Sequence, residues 1–581
     1  MNGSNAQKSE ALYGIRVLRD VKVAMRDGIR LSANVYLPKA DGRFPVIFER
    51  MPYGFDGFTC GEGDFYARRG YAFVMQDCRG RYDSEGEFYP FRDDGRDGVD
   101  TMDWICAQPW SNGRVGMFGP SYLGIVQWLL ALEGHPALKA MVPNAMPFDF
   151  WKRGYWCDGA FSLALTALWT CLEVSSRTSD LGLIPAYDLN EFFRHLPLKT
   201  LDSFAGRPCQ FWQDFLDHAR YDDYWKALNF HDGLDRIAAP SFLMVGWYDY
   251  YAGEALRCYG GLRRRAGGEA AARSRIIIGP WSHLISQSAQ LGEVNFGEPS
   301  HLNISDLALR WFDSLLKGLD TKILDEPPIT IFVMGINEWR QEREWPLART
   351  RFTEFFLHSN GSANGRDEDG RLHTEPPADE PTDRYVYDPD NPCPTLGGNH
   401  SICWPQAFHV IQPGPFDQRP VESRDDVLVY STAPLDRDTE VTGPVVLRLF
   451  AATDAPDTDW TAKLVDVHPD GRAINLTEGV LRARFRESIY RPPKLLEPGK
   501  VYEYAVELQP TSNVFLKGHR IRVDISSSNF PLWDRNPNTG HEQGRDAETR
   551  IARQTVFHNG QYPSRIVLPV IPGPERGGER A

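Results

Sequence analysis

A short apolar run, Val115 to Phe118, breaks into Gly119-Pro120-Ser121-Tyr122-Leu123-Gly124, and no other stretch limits the folds open to this chain as tightly. A run of that kind followed by small residues reads as strand, sharp turn and helix. Such a turn lifts the serine hydroxyl clear of the backbone at the top of a parallel sheet, and the N–H of the next residue, Tyr122, is placed to meet an oxyanion. The pattern departs from a strict G-x-S-x-G, because Leu123 takes the place of the second glycine and Gly124 follows it. Ser121 is the candidate nucleophile.

Three other apolar runs end in residues that such a serine requires. Pro45-Val46-Ile47-Phe48 leads through Met51-Pro52 to Tyr53, Phe242-Leu243-Met244-Val245 leads to Trp247-Tyr248-Asp249, and Ile276-Ile277-Ile278 leads to Gly279-Pro280-Trp281-Ser282-His283. Each candidate follows the carboxyl end of its run, where the loops of an open α/β sheet converge on one crevice. Serine, then acid, then histidine is also the chain order of a triad on such a sheet. A serine hydroxyl is a poor nucleophile until a base removes its proton, and imidazole titrates close enough to neutrality to take and return it. Asp249 would hold the right tautomer of His283 and stabilise the imidazolium formed during attack. A second oxyanion donor beside the Tyr122 N–H is required.

The chain resembles the CocE/NonD group of serine hydrolases, the family of cocaine esterase and X-Pro dipeptidyl-peptidases, from about Val21 onward. The resemblance rests on Met25-Arg26-Asp27-Gly28, Gln76-Asp77-Cys78-Arg79-Gly80-Arg81, Asp83-Ser84-Glu85-Gly86, Gln108-Pro109-Trp110-Ser111-Asn112-Gly113, Gly246-Trp247-Tyr248-Asp249 and Gly279-Pro280-Trp281-Ser282-His283. Further on come Val333-Met334-Gly335, Asp417-Gln418-Arg419-Pro420, Lys463-Leu464-Val465-Asp466-Val467 and Asp534-Arg535-Asn536-Pro537-Asn538-Thr539-Gly540. It implies an α/β-hydrolase domain with an inserted helical cap and a C-terminal all-β jelly-roll (galactose-binding-like) domain. It puts the triad on Ser121, Asp249 and His283. It also supplies the missing donor, since the tyrosine of the family's Pro-Tyr pair, here Tyr53, gives its phenolic hydroxyl to the oxyanion.

Composition excludes several other classes. A net charge of −14 and a pI near 5.5 argue against a nucleic-acid partner, whose phosphates call for a basic surface. No long uninterrupted apolar segment suits a membrane, and Met1 to Gly14 lack the apolar core of a signal peptide, so a cytoplasmic location is expected. The 9 cysteines, Cys60 among them, are scattered without a CxxC pair and are expected to be reduced, mostly buried and without catalytic role. No HExxH or calcium-loop alternation appears, the acidic run Asp93-Asp94-Gly95-Arg96-Asp97 reads as a solvated turn, and neither metal nor cofactor is expected.

The expected organisation is a first core part over 1–144, a helical cap over 145–240, a second core part over 241–350 and a β-rich domain over 351–581. The cap fills the long gap between Ser121 and Asp249 and shows helical spacing at Phe161, Leu163, Leu165, Leu168 and Leu172. Its aromatic residues Trp151, Tyr155, Trp156 and Trp169 suit an acyl or aryl pocket, and equally the cap's own core. By the resemblance Tyr155 falls where the family's cap lends an aromatic to the substrate, and Trp156 and Tyr251 join it as substrate-binding candidates. Residues 359–394 are poor in apolar side chains and read as linker or loop. Runs such as Val445-Val446-Leu447-Arg448-Leu449-Phe450 then announce strands, and the tail Pro572 to Ala581 reads as disordered.

The expected partner is a small-molecule ester or amide, and a homodimer is left open. The α-amino-acid ester hydrolases of the family hold a substrate ammonium with acids two and three residues after the triad aspartate, where this chain has Tyr251 and Ala252. The X-Pro dipeptidyl-peptidase branch adds an N-terminal domain ahead of a hydrolase pattern that here begins by about residue 21. Carboxylesterase is thus the leading reading, ahead of X-Pro dipeptidyl-peptidase or amide acylase. A carbohydrate-binding protein with an inactive hydrolase domain is the alternative from outside enzymes.

Overall fold

The computed structural model describes residues 7–55, 61–364 and 369–573; Cys60 and the tail residues 574–581 lie outside the described residues. Its first half is built on a single twisted sheet. Strands β1 (Ile15–Ala24), β2 (Arg30–Pro38), β3 (Phe44–Met51), β4 (Ala72–Asp77), β5 (Ser111–Pro120) and β6 (Leu138–Asn144) lie in the order 1-2-4-3-5-6. The sheet continues across a bridge from Met141 to Ser241 into β7 (Phe242–Gly246), β8 (Arg275–Gly279), β9 (Ile329–Val333) and β10 (Glu338–Glu342). The strands from β4 through β9 in that order run parallel, and antiparallel neighbours stand at both edges.

Parallel strands are covered on both faces, which is why β4, β7 and β8 have every residue buried and are apolar but for Gln76 and Asp77 at the end of β4 and Arg275 at the start of β8. Successive side chains part to opposite faces. Val46, Phe48, Val115, Met117, Ile276 and Ile278 join one core with helix residues Met102, Ile105 and Val126. Ile47, Phe73, Val142, Met244 and Ile277 join the other with Leu309 and Phe312. This is the α/β-hydrolase arrangement. The strand order reverses between β3 and β5, so the crevice of the sheet opens at their carboxyl ends.

Between β6 and β7 the chain makes a run of short helices, among them Phe150–Arg153, Leu163–Ala167, Leu189–Arg194 and Gln210–Asp217. Asp149 and Asp188 cap two of them, each accepting from two backbone amides of the first turn. Phe211, Trp212 and Phe215 are buried from the last helix. No helix among the described residues is long and apolar enough to cross a membrane.

From Arg351 onward the structure is β-rich, with an 11-stranded, almost wholly antiparallel sheet whose longest members are Thr439–Thr453 and Tyr502–Phe515, and with a short helix at Arg419–Glu422. The stretch 359–394, read as linker from its polar composition, contributes strands Arg371–His373 and Asp383–Tyr387 to that sheet. Its polarity is spent on buried hydrogen bonds: Asp383 accepts from the Ser359 and Tyr430 hydroxyls, each at 2.7 Å.

The acidic run Asp93 to Asp97 is not a solvated turn. It opens a helix, Asp94–Ala107, and Asp94 and Asp97 are buried against the fully buried Arg50, at 3.5 and 3.7 Å. Arg79 closes the cluster with a 2.6 Å bond to Asp97. Charge density alone suggested solvent, whereas the arginines that neutralise it come from distant strands and loops.

Candidate active site

Ser121 stands directly after β5 at φ 56° and ψ −122°, a conformation costing a non-glycine residue about 1 to 3 kcal/mol and held by its surroundings. Its N–H donates to the Asn144 carbonyl at 2.9 Å, and its carbonyl accepts from Ile125 N–H at 3.0 Å as the following helix, Tyr122–Glu133, begins. The Ser121 side chain makes no capping bond to that helix, so the hydroxyl is not consumed by the backbone. Gly119 has φ 134°, and a Cβ there would lie 2.5 Å from the Cβ of Leu123. Leu123 therefore packs into the space the glycine leaves, which explains the departure from the G-x-S-x-G spacing.

The Tyr122 amide is one of the first-turn N–H groups that a helix leaves without a carbonyl partner. Its ring points the other way, into the core, where its hydroxyl donates to Asp94 Oδ2 at 2.6 Å. The buried acidic cluster thus anchors the turn from below.

Asp249 and His283 are brought together by the pairing of β7 with β8, which continues past the strand ends. Trp247 N–H donates to Gly279 O at 2.8 Å and Tyr248 N–H to Trp281 O at 2.9 Å. The crossing is so close that a Cβ on Gly246 would lie 1.9 Å from the Trp281 carbonyl oxygen, which requires glycine there. His283 Nδ1 lies 2.9 Å from Asp249 Oδ2. The other carboxylate oxygen accepts from the Tyr251 N–H at 3.1 Å and the Ser401 hydroxyl at 2.9 Å. Asp249 is fully buried and His283 is 8% exposed, at the wall of a cavity.

That cavity, of about 180 Å³, is lined by Ser121, His283, Tyr53, Trp169, Tyr251 and Trp404, among others. Tyr53 follows β3, the parallel neighbour of β5, so the two loops meet at the crevice. The Trp169 indole N–H donates to the Tyr53 oxygen at 3.1 Å. Burial, reinforced by the Glu173 carboxylate, holds the Tyr53 phenol well above its usual range, so at neutral pH it stays protonated and able to donate.

The other substrate-binding candidates divide. Tyr251 lines the cavity. Tyr155 lies behind it, stacked on Phe215 at 4.2 Å and on Trp169 at 5.9 Å. Trp156 is fully buried among the short helices between β6 and β7, packed on Trp151 and Phe161 with its N–H on the Phe215 carbonyl. Four contributors escaped sequence reasoning. Ser401, Cys403 and Trp404 reach the cavity from the far side of the chain, with no local pattern to mark them. Glu173 did leave a signal: Leu165, Trp169 and Glu173 recur every fourth residue along one helical face, and all three line the cavity.

A serine on a strained strand-to-helix turn, an imidazole fixed by a buried carboxylate, and two oxyanion-hole candidates on an α/β-hydrolase sheet define the class of serine hydrolases. Residues 27–285 match the X-Pro dipeptidyl-peptidase (S15 family), and residues 321–567 match the X-Pro dipeptidyl-peptidase C-terminal non-catalytic domain. The chain is 41% identical over 580 residues to the cocaine esterase of Rhodococcus sp. (strain MB1 Bresler), covering 96% of this chain and 98% of that one. Among solved structures it is similar to an aminopeptidase from a marine sediment archaeon, Thaumarchaeota archaeon, with a TM-score of 0.84 and 28% identity over 98% of this chain and 99% of the other. An α-amino acid ester hydrolase superposes with a TM-score of 0.82 at 26% identity, 98% of each chain being covered. The chain belongs to the X-Pro dipeptidyl-peptidase S15 family of serine hydrolases, in its CocE/NonD group.

Proposed function

We propose that this chain is a carboxylesterase that cleaves small esters through an acyl-enzyme on Ser121. The observation that carries the reading is the shared cavity, in which Ser121, His283 and the Tyr53 side chain meet while Asp249 is locked behind the imidazole. His283 takes the Ser121 proton as the hydroxyl attacks the ester carbon, and Asp249 holds the imidazole with Nδ1 protonated so that Nε2 serves as the base. The Tyr122 N–H and Tyr53 O–H receive the oxyanion. His283 then protonates the leaving alcohol, and water repeats the sequence to release the acid. The segment 145–240 serves as the cap over this site, and residues 351–581 form the β domain that closes its other side.

Similarity to a cocaine esterase supports the ester as substrate. The family match and the archaeal aminopeptidase favour a second reading in which the same triad cleaves an Xaa-Pro or aminoacyl amide. Purified protein assayed on p-nitrophenyl esters, amino-acid esters and Xaa-Pro anilides separates the two. Ester turnover is expected to dominate, and Ser121→Ala is expected to reduce kcat by about 10⁴ to 10⁶, since triad members act as a unit. Faster turnover of Xaa-Pro anilides than of every ester would reverse the order of the readings, and retention of a tenth of the activity by Ser121→Ala would remove the nucleophile.

A further inference from the structure

A carboxylate with no part in the proton transfers of ester cleavage stands in the wall of the reaction cavity. The helix Leu163–Ala167 continues as a π-helical turn, Leu168–Glu173, and irregular turns of this kind gather at functional sites. The turn sends Trp169 and Glu173 into the cavity that holds Ser121. Glu173 is 3% exposed, yet among the described residues no arginine or lysine forms an ion pair with it. The nearest cation, Arg81, is itself fully buried and sends its guanidinium to main-chain oxygens, those of Pro52 at 2.7 Å, Val174 at 3.3 Å and Glu173 itself at 3.4 Å. It does not reach the Glu173 carboxylate. The carboxylate is thus left with the Trp404 N–H and a more distant Arg81, without an ion-pair partner among the described residues, and it borders the open cavity.

The neighbouring walls match one kind of guest. Trp169, Trp404, Tyr53 and Tyr251 line the same space, and aromatic faces beside an acid are the chemistry that holds an alkylammonium. We propose that Glu173 is the specificity residue of this site and selects esters bearing a positively charged amine, held between its carboxylate and the aromatic walls. The inference rests on the serine-esterase reading above. It also places the charge partner on the cap, rather than after the triad aspartate, where Tyr251 and Ala252 carry none.

Burial pushes the Glu173 carboxyl up to about 7, against the opposing pull of the Trp404 N–H and Arg81. The groups facing it are Arg81 from the loop after β4, Tyr53 after β3 and Cys403, with Glu62, Tyr251 and His283 around the same cavity. A bound ammonium favours the ionised carboxylate. Selection for a permanent cation thus strengthens as pH rises through about 7.

The test compares two isosteric esters, butyrylcholine and 3,3-dimethylbutyl butyrate, which differ only in nitrogen against carbon. Dividing one kcat/KM by the other cancels the titration of the triad, which serves both. Wild type is expected to favour the choline ester, with the ratio rising between pH 6 and 8. Glu173→Gln is expected to lower the ratio by about 10- to 100-fold and to flatten it with pH; the ratio carries the reading, because Glu173 also borders Tyr53 and either rate alone can move with it. Where Glu173→Gln fails to fold, the wild-type profile is read beside that of Glu62→Gln, the other carboxylate of the cavity: a rise that survives in Glu62→Gln supports Glu173, and one that is lost there overturns its role. A ratio below one, or one that is flat with pH and unmoved by Glu173→Gln, would overturn the role of Glu173 while leaving the esterase intact. If neither ester is cleaved and a fluorophosphonate fails to label Ser121, the esterase reading falls, and this inference with it.

Discussion

At Tyr53 a single hydroxyl separates a catalytic role from a packing one. The ring meets Tyr122 edge to face at 6.5 Å, and the Trp169 N–H holds its oxygen at the cavity wall. Tyr53→Phe keeps the ring and removes one donor, so kcat is expected to fall by about 10² to 10³ with KM little changed. Steady-state kinetics on a p-nitrophenyl ester measure this, and near-normal turnover would reduce Tyr53 to a structural tyrosine. Residues of this kind were legible in sequence to differing degrees. Ser121, Asp249 and His283 each follow an apolar run and could be picked as candidates from order and chemistry, whereas the role proposed for Tyr53 came from the resemblance, through the family's Pro-Tyr pair. Ser401 could not be read at all, because its bond to Asp249 joins positions 152 apart along the chain and no local period records it.

Among the elements, the turn after β5 and the helix that follows depend on a second helix beneath them. Asp94, at the start of that helix, accepts the Tyr122 hydroxyl at 2.6 Å and lies against Arg50, which is wholly buried. Asp94→Ala would release Tyr122 and leave Arg50 short of a counter-charge. Breaking a buried pair from one side costs about 3 to 5 kcal/mol. Urea unfolding is expected to show a loss of that size, with ester turnover falling as well because the amide proposed for the oxyanion belongs to the released residue. Stability within 0.5 kcal/mol of wild type would contradict this support role. The apolar strands were legible because burial on both faces writes itself as uninterrupted Val, Ile, Leu and Met. The acidic run was misread for the converse reason: its partners Arg50 and Arg79 lie elsewhere in the sequence, and a charge looks solvated until its counter-charge is placed beside it.

Across the whole molecule, the β-rich half is part of the site. Asn399 Nδ2 donates to the Trp247 carbonyl at 2.6 Å and Gln509 Nε2 to the Tyr250 carbonyl at 2.6 Å, so both sides of the Asp249 loop are held from beyond residue 351. Ser401 completes the carboxylate and Trp404 closes the cavity. The helical segment between β6 and β7 is tied to the same half, with the Trp151 N–H on the Ile489 carbonyl at 2.8 Å and Lys152 on Glu507 at 2.9 Å. The presence of a β-rich half was legible from its spaced strand-like runs. Its share in the cavity lining was not, because it comes from isolated loop residues such as Ser401 and Trp404.

Reaction of the purified protein with a fluorophosphonate, followed by intact-mass measurement and peptide mapping, tests the central claim most directly, because only an activated serine is phosphonylated. One adduct per chain, located on Ser121 and lost in His283→Ala, is the predicted result. An adduct on another residue, or labelling of Ser121 that persists unchanged in His283→Ala, would contradict the account.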